Sequence, residues 1–446
     1  NKIFWNFTLW VNKKMKFDYI IVGAGSAGCL LANRLSKSGT KTVCLLEAGP
    51  SDWSPFIKIP AGFMKTVSNK KLNWLYATEP SWGTHGRRIP TPRGKVIGGS
   101  SSINGLIFSR GQKMDFDHWA QLGNNGWGYD DLLPHFRSLE NYITNSKCDQ
   151  NNGLSNNFRG RDGEMVVTDL GWRDPLCDAF IRAAREIGIP YNCDYNENVQ
   201  EGVSYVQRTS TGKLRMSSSR AYLKPILKRR NLFILKNALV TKILFENKAA
   251  VGVAYKIGGS SNRLQFIKAN LEVIVSAGAI NTPQLLQLSG VGSGKLLRGL
   301  GIEVVHNLPG VGENLRDHYA TRLTARAKNV QTINEVSRGS KLLFEILKYG
   351  FGNRSILSLG PTLVYCFWHS DEQVKNNDLQ ITFTPASYDQ GQQSKLDRKP
   401  GFSIAAWPQR PQSFGWVRIK TSNPYDSPLI QPNYLSSEED VRVLLS

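Results

Sequence analysis

Hydrophobic positions first fall into a readable order between residues 19 and 46. Tyr19 to Val22 is an unbroken apolar run of strand length. It meets the glycine-rich turn Gly23-Ala24-Gly25-Ser26-Ala27-Gly28, after which apolar residues recur at helical spacing from Cys29 to Leu35. Gly39 marks the helix end, and Thr42 to Leu46 predicts a second strand that closes on Glu47-Ala48. The pattern is a βαβ unit. In such a unit Gly23 permits the tight turn, Gly25 lets a pyrophosphate approach the backbone, and Gly28 lets the helix pack on the strand. The helix start offers unpaired N–H groups and a positive dipole end to phosphates. Glu47 stands where a carboxylate accepts ribose hydroxyls, roughly twenty residues on. Together these predict dinucleotide binding, with NAD and FAD both open at this point.

The stretch from Arg93 to Gly105 reads RGKVIGGSSSING. Gly/Ser runs are common linker material, yet this one is short and sits between Val96-Ile97 and Leu106-Ile107-Phe108. A hinge and a backbone surface shaped to touch a ligand both fit it. Leu271 to Ser276 predicts a strand that turns at Ala277-Gly278 into a helix over Thr282–Leu288, with Gly290 at its end. Either a cofactor-facing turn or an ordinary core βα unit has this form. Pro175 to Ile187 has a helical period, Leu232 to Lys268 reads as successive strands, and residues 145–163 read as a surface loop. From residue 320 onward the βαβ grammar lapses. QITFTPASY (380–388), GFSIAAWPQ (401–409) and GWVRIKT (415–421) predict strands of an antiparallel sheet bearing aromatics.

Composition adds limits. The 446 residues are 40% hydrophobic and 20% charged, which are globular values. An excess of 56 basic over 35 acidic residues gives +21, but the basic residues are dispersed and the densest cluster, Lys224 to Arg230, is modest. Nucleic-acid binding is therefore not expected. The six cysteines show no CxxC spacing, so neither a disulfide framework nor a metal site is expected. The chain reads as reduced, intracellular and cytoplasmic. Residues 1–14 have an apolar centre broken by Asn6 and Thr8 and fall far short of a membrane span. They read as a non-native or flexible extension ahead of Met15. A short amphipathic anchor, with peripheral membrane association, is the alternative.

Residues 93–111 (RGKVIGGSSSINGLIFSRG) and 278–292 (GAINTPQLLQLSGVG) resemble two signatures of the glucose–methanol–choline (GMC) family of FAD-dependent oxidoreductases. PGVGENLRDH (309–318) and residues 115–136 are similar to further landmarks, and the resemblance runs from about Lys16 onward, nearest to choline-dehydrogenase-like bacterial members. It implies an α/β protein. A Rossmann-like FAD-binding domain with a parallel sheet spans 15–316, with inserted substrate-domain segments around 140–200. A mainly antiparallel substrate region spans 317–446. The 93–105 run then lies beside the flavin and is no hinge. Val96, Ser100, Asn104, Gly105, Leu106 and Ile107 are implied flavin-side contacts, and Val240 meets the adenine end. Ile103 stands where some members join a His covalently to the flavin, so the FAD is expected to be noncovalent.

The activity implied is oxidation of a primary alcohol by hydride transfer to the flavin N5. A base takes the alcohol proton, and electrons pass to a quinone, an electron-transfer protein or oxygen. No metal is expected. The family's active-site His pair is expected a few tens of residues beyond Ser446, which implies a truncated reading frame and an inactive fragment. Among the six histidines His318 is the candidate substitute. Its structural alternative is a hydrogen bond to Asp317 or to a backbone carbonyl, and His118 and His135 read as structural. Where choline-oxidising members place a Glu facing the trimethylammonium group, this chain has Ala320. Two other readings stand beside the oxidoreductase: a flavoprotein of the same scaffold without redox turnover (a lyase or photodecarboxylase), and a basic nucleic-acid-binding protein.

Overall fold

The computed structural model describes residues 15–144, 157–258, 263–389 and 395–446. Residues 1–14 and most of the 145–163 loop lie outside the described residues. The first unit forms as the pattern predicts, with β1 (Lys16–Val22), α1 (Ser26–Leu35) and β2 (Val43–Leu46). They enter a six-stranded sheet with β3 (Leu232–Leu235), β4 (Ala238–Glu246), β5 (Ala249–Ile257) and β6 (Gln265–Val275), in the order β4-β5-β6-β1-β2-β3. Pairings among β6, β1, β2 and β3 are parallel, while β4–β5 and β5–β6 are antiparallel.

Both faces of the parallel part are covered. Ile20 and Val22 pack in a cluster with Leu285 of α2 (Gly278–Leu288), and Ile21 packs in another with Cys29 and Ala32 of α1 and with Tyr222 and Leu223. A strand buried on both sides reads as continuous apolar sequence, not as an alternation. Each fully buried isoleucine contributes about 1.5–3 kcal/mol.

A second sheet has five strands, all antiparallel. Its order is β7 (Thr321–Arg326), β10 (Gly401–Pro408), β9 (Leu379–Thr384), β8 (Val364–Trp368), then the strand Gly202–Tyr205 from far upstream. A buried ionic cluster borders a small three-stranded sheet made of Glu140–Ile143, Met165–Asp169 and Gln207–Arg208. The Arg159 guanidinium donates to Asp194 at 2.6 Å and to Gln207 at 3.0 Å, and it shares Glu140 with Arg110. Arg110 directly follows the run from Arg93 to Ser109, so the cluster anchors the end of that run.

Three expectations need correction. Helix α2 begins at Gly278, ahead of Thr282, and Pro283 lies inside it. Pro283 is the sixth residue of the helix and has no N–H to donate to the Ala279 carbonyl, so one helical bond is lost, while Ile280 is buried against Tyr76, Val417 and Ile430. Gly415–Arg418 does not join the aromatic sheet. It pairs with Glu313–Leu315 and Leu429–Gln431, because Val417 belongs to that same cluster beside α2. Finally, Cys193 is disulfide-bonded, whereas Cys29, Cys44, Cys177 and Cys366 are free and buried; spacing along the chain does not report which cysteines come within bonding distance.

Candidate functional site

Several cavities adjoin the segment from Arg93 to Phe108, and two of them make up the candidate site. The first, about 490 Å³, lies at the C-terminal ends of β1, β2 and β6, and is lined by Gly23, Gly25, Ser26, Ala27, Glu47, Ala48, Ser100 and Val240 among others. This is where open α/β sheets take their ligands. Helix α1 is capped by Gly25 with no side-chain cap bond, so its first-turn amides remain available to an anion. A Cβ on Gly28 would come within 1.9 Å of the Gly23 carbonyl oxygen; only a glycine lets the helix close on the turn. Ala24 and Gly28 are buried behind this surface and do not line it.

Glu47 braces the same turn. Its Oε2 accepts the Ala24 amide at 3.0 Å and its Oε1 accepts the Gly49 amide at 2.9 Å. Burial lifts its carboxyl from the ordinary value to about 7, against the lowering effect of those two amides and of Lys95.

The Gly/Ser run packs directly on the turn Gly23–Gly28. Gly98 has φ +91°, and Gly99–Ser102 form one 3-10 turn. A Cβ on Gly99 would sit 2.7 Å from the Gly25 Cα, so two glycine-rich segments touch backbone to backbone. Ile103 joins Val96, Ile57 and Leu72 in a small buried cluster, and Val96 lines neither cavity.

The second cavity, about 390 Å³, has Asn104, Gly105, Leu106 and Ile107 as one wall. Opposite them the antiparallel sheet and its loops present Tyr365, Tyr388, Trp407, Ala320 and Arg322. Arg322 is the one ionised side chain among the described residues lining it, and its guanidinium stands 4.7 Å from the Tyr388 ring centre. Leu106 holds φ +65°, a conformation that costs a branched residue of order 1–3 kcal/mol and recurs at ligand sites. Asn104 secures it: its Oδ1 accepts the Leu106 amide at 3.2 Å and the Arg215 guanidinium at 2.6 Å. Arg215 also donates to the carbonyls of Ile57 and Ser101, and burial brings its pKa down to about 9. Sequence reasoning missed Arg215, which sits in GKLRMSSSR with no periodic or motif signal.

His318 is not brought to these walls. It lines a third cavity, about 550 Å³, with His118, Arg316 and Asp317. Its Nε2 lies 2.9 Å from the Gln409 carbonyl oxygen and its ring stacks on Trp407, while Asp317 accepts the Tyr434 hydroxyl at 2.6 Å. His135, on the helix Tyr129–Leu139, lines none of the three. Among the described residues no cluster of His, Cys, Asp or Glu could hold a metal ion, and no helix is long and apolar enough to cross a membrane.

Residues 17–320 match the family model described as GMC oxidoreductase. The chain is 40% identical over 436 residues to an alcohol dehydrogenase [acceptor] of Pseudomonas putida, covering 96% of this chain and 76% of that protein. It is 40% identical over 432 residues to an oxygen-dependent choline dehydrogenase of Photobacterium profundum, covering 95% and 73%. A solved FAD-dependent oxidoreductase from Chaetomium thermophilum superposes with a TM-score of 0.85 at 25% identity, covering 96% of this chain and 80% of that one. With a family model matched over most of its length and relatives of this identity, the chain belongs to the GMC oxidoreductases.

Proposed function

We propose that the protein is an FAD-dependent alcohol dehydrogenase acting on a neutral primary alcohol. The observation that carries this is the placement of one continuous segment, residues 99–107, in the walls of both cavities. A dinucleotide held in the first is thereby joined to a substrate-sized space in the second. The donor set fits FAD: Glu47 for the ribose, the α1 amides for the pyrophosphate, Val240 at the adenine end, and Asn104 to Ile107 beside the ring. When bound, FAD supplies the hydride acceptor. Arg215 holds Asn104, and through it the backbone of Leu106, in place. His318 serves as a structural residue, because a ring nitrogen that donates to a carbonyl already carries its hydrogen and takes up no proton there.

The same reading assigns residues 15–316 to FAD binding and 317–446 to the substrate region, with inserted segments around 140–200. Electrons leave to a quinone, an electron-transfer protein or oxygen. A cytoplasmic setting rests on the four buried thiols, and the Cys193 bridge weighs against it.

Choline is the second reading, favoured by the names of relatives near 40% identity and by aromatic faces that can hold a cation. Ala320 and Arg322 oppose it, since one supplies no carboxylate and the other repels a quaternary ammonium. The test titrates FAD-loaded protein with butan-1-ol, benzyl alcohol and choline and follows the perturbation of the flavin absorbance band, a binding readout that needs no catalytic base. Neutral alcohols are expected to saturate it at lower concentration; choline tighter by about tenfold would reverse the assignment.

A further inference from the structure

Helix α3 (Gly339–Gly350) turns the usual amphipathic arrangement partly inside out. Leu342 packs against the core beneath the second sheet, but the other residue facing inward is Glu345, only 5% exposed. Its carboxylate accepts the Ile356 amide at 2.9 Å and Lys348 Nζ at 2.7 Å. The outward side carries Leu343, Phe344, Ile346 and Leu347, followed just past the helix by Phe351; Phe344 is 63% and Phe351 83% exposed. Positions 343, 347 and 351 lie one above another at i, i+4 spacing, with Phe344 beside them. These form one apolar stripe, not scattered exposed residues.

The rim of the stripe is cationic. Lys341, Lys348 and Arg354 flank it in sequence, and Lys213 lies against its end: the Lys213 carbonyl accepts the Tyr349 hydroxyl at 2.6 Å, and its Nζ is within 2.3 Å of where a Cβ on Gly352 would stand. Between residues 338 and 354 the one acidic residue is Glu345, buried and paired.

We propose that this face docks on an anionic lipid surface, with Leu343, Phe344, Leu347 and Phe351 among the acyl chains and Lys341, Lys213 and Arg354 on headgroup phosphates, Lys348 being paired with Glu345. Charge decides the occupant. A two-fold pairing of copies would set this cationic rim against itself, on a chain of net charge +21, whereas anionic headgroups attract each such cation. The peripheral membrane contact that the sequence left open at residues 1–14 is thereby assigned to another place. From α3 the chain runs through Ile356–Ser358 to Gly360 and Pro361, and Pro361 lines the second cavity against Gly105. The docked face is one short segment from the substrate-side wall, which suits an alcohol or an acceptor that partitions into lipid. The docking itself does not depend on the flavin reading and is tested by binding alone.

FAD-loaded protein is sedimented with vesicles of phosphatidylcholine, or of equal parts phosphatidylglycerol and phosphatidylcholine. Retention is expected on the anionic vesicles and should fall as salt rises. Phe344→Ser with Phe351→Ser should weaken it at least about tenfold, and Lys341→Glu with Arg354→Glu should abolish the preference for anionic lipid. All four side chains are exposed or at the rim, so unchanged flavin absorbance reports that the variants fold. Absence of retention on anionic vesicles, equal retention by the serine variant, or a solution dimer that the serine variant dissociates would each overturn the proposal.

Discussion

Both oxygens of Glu47 accept backbone amides while burial raises its carboxyl to about 7, and this makes its linkage to pH unusual for an acidic residue. Between the ordinary carboxyl value and 7 the folded chain keeps a proton that the unfolded chain has released. The contribution of this group to stability is therefore largest at low pH and declines as pH rises through that window. On the proposed ribose contact, cofactor affinity should run the other way, because hydroxyls donate to the ionised carboxylate. FAD titrated into apoprotein is expected to bind about tenfold more weakly per pH unit below 7, levelling above it. Glu47→Gln should flatten that profile, and Glu47→Ala should weaken binding by about one to two powers of ten; a flat profile in the unaltered protein would remove Glu47 from the ribose. At Gly99 an added methyl meets the Gly25 Cα, so Gly99→Ala should lose FAD affinity by more than about tenfold. Ile103 offers no nucleophile, and acid precipitation should release the whole chromophore into the supernatant.

Elements differ in how far they could be read beforehand. The β1-α1-β2 unit was legible because every signal in it is local: a doubly buried strand, a turn, a helical period and an acid at the strand end. The Gly/Ser run was legible only through its resemblance to the family, since a linker and a backbone-packing surface share one composition. What fixes it is contact with Gly25, far away in sequence. Arg215 could not be found because a lone buried arginine leaves no pattern, and the displaced start of α2 follows from the packing of Ile280. The ionic cluster of Arg110, Glu140, Arg159 and Asp194 was invisible for the same reason. Removing one partner leaves an unpaired buried charge, so Glu140→Gln or Arg159→Met should cost about 3–5 kcal/mol, read as a lowered denaturant midpoint. A change near zero would mean that neighbouring polar groups compensate.

At the scale of the molecule, the cofactor cavity draws its walls from β1, β2, β4, the 93–100 run and α2, so ligand binding and folding are one linked equilibrium. FAD at about a thousand times its dissociation constant should add roughly 4 kcal/mol to stability, and the melting temperature should follow FAD concentration. The same dispersion of walls orders events during synthesis. The turn Gly23–Gly28 leaves the ribosome early, yet its cavity is unfinished until β6 and α2 have followed. At a translation rate of about 5–20 residues per second that interval is on the order of tens of seconds. During it the nascent turn has no lid of helix against which to hold a nucleotide. Cofactor capture is thus a late step of biogenesis, whatever the supply of FAD in the cell.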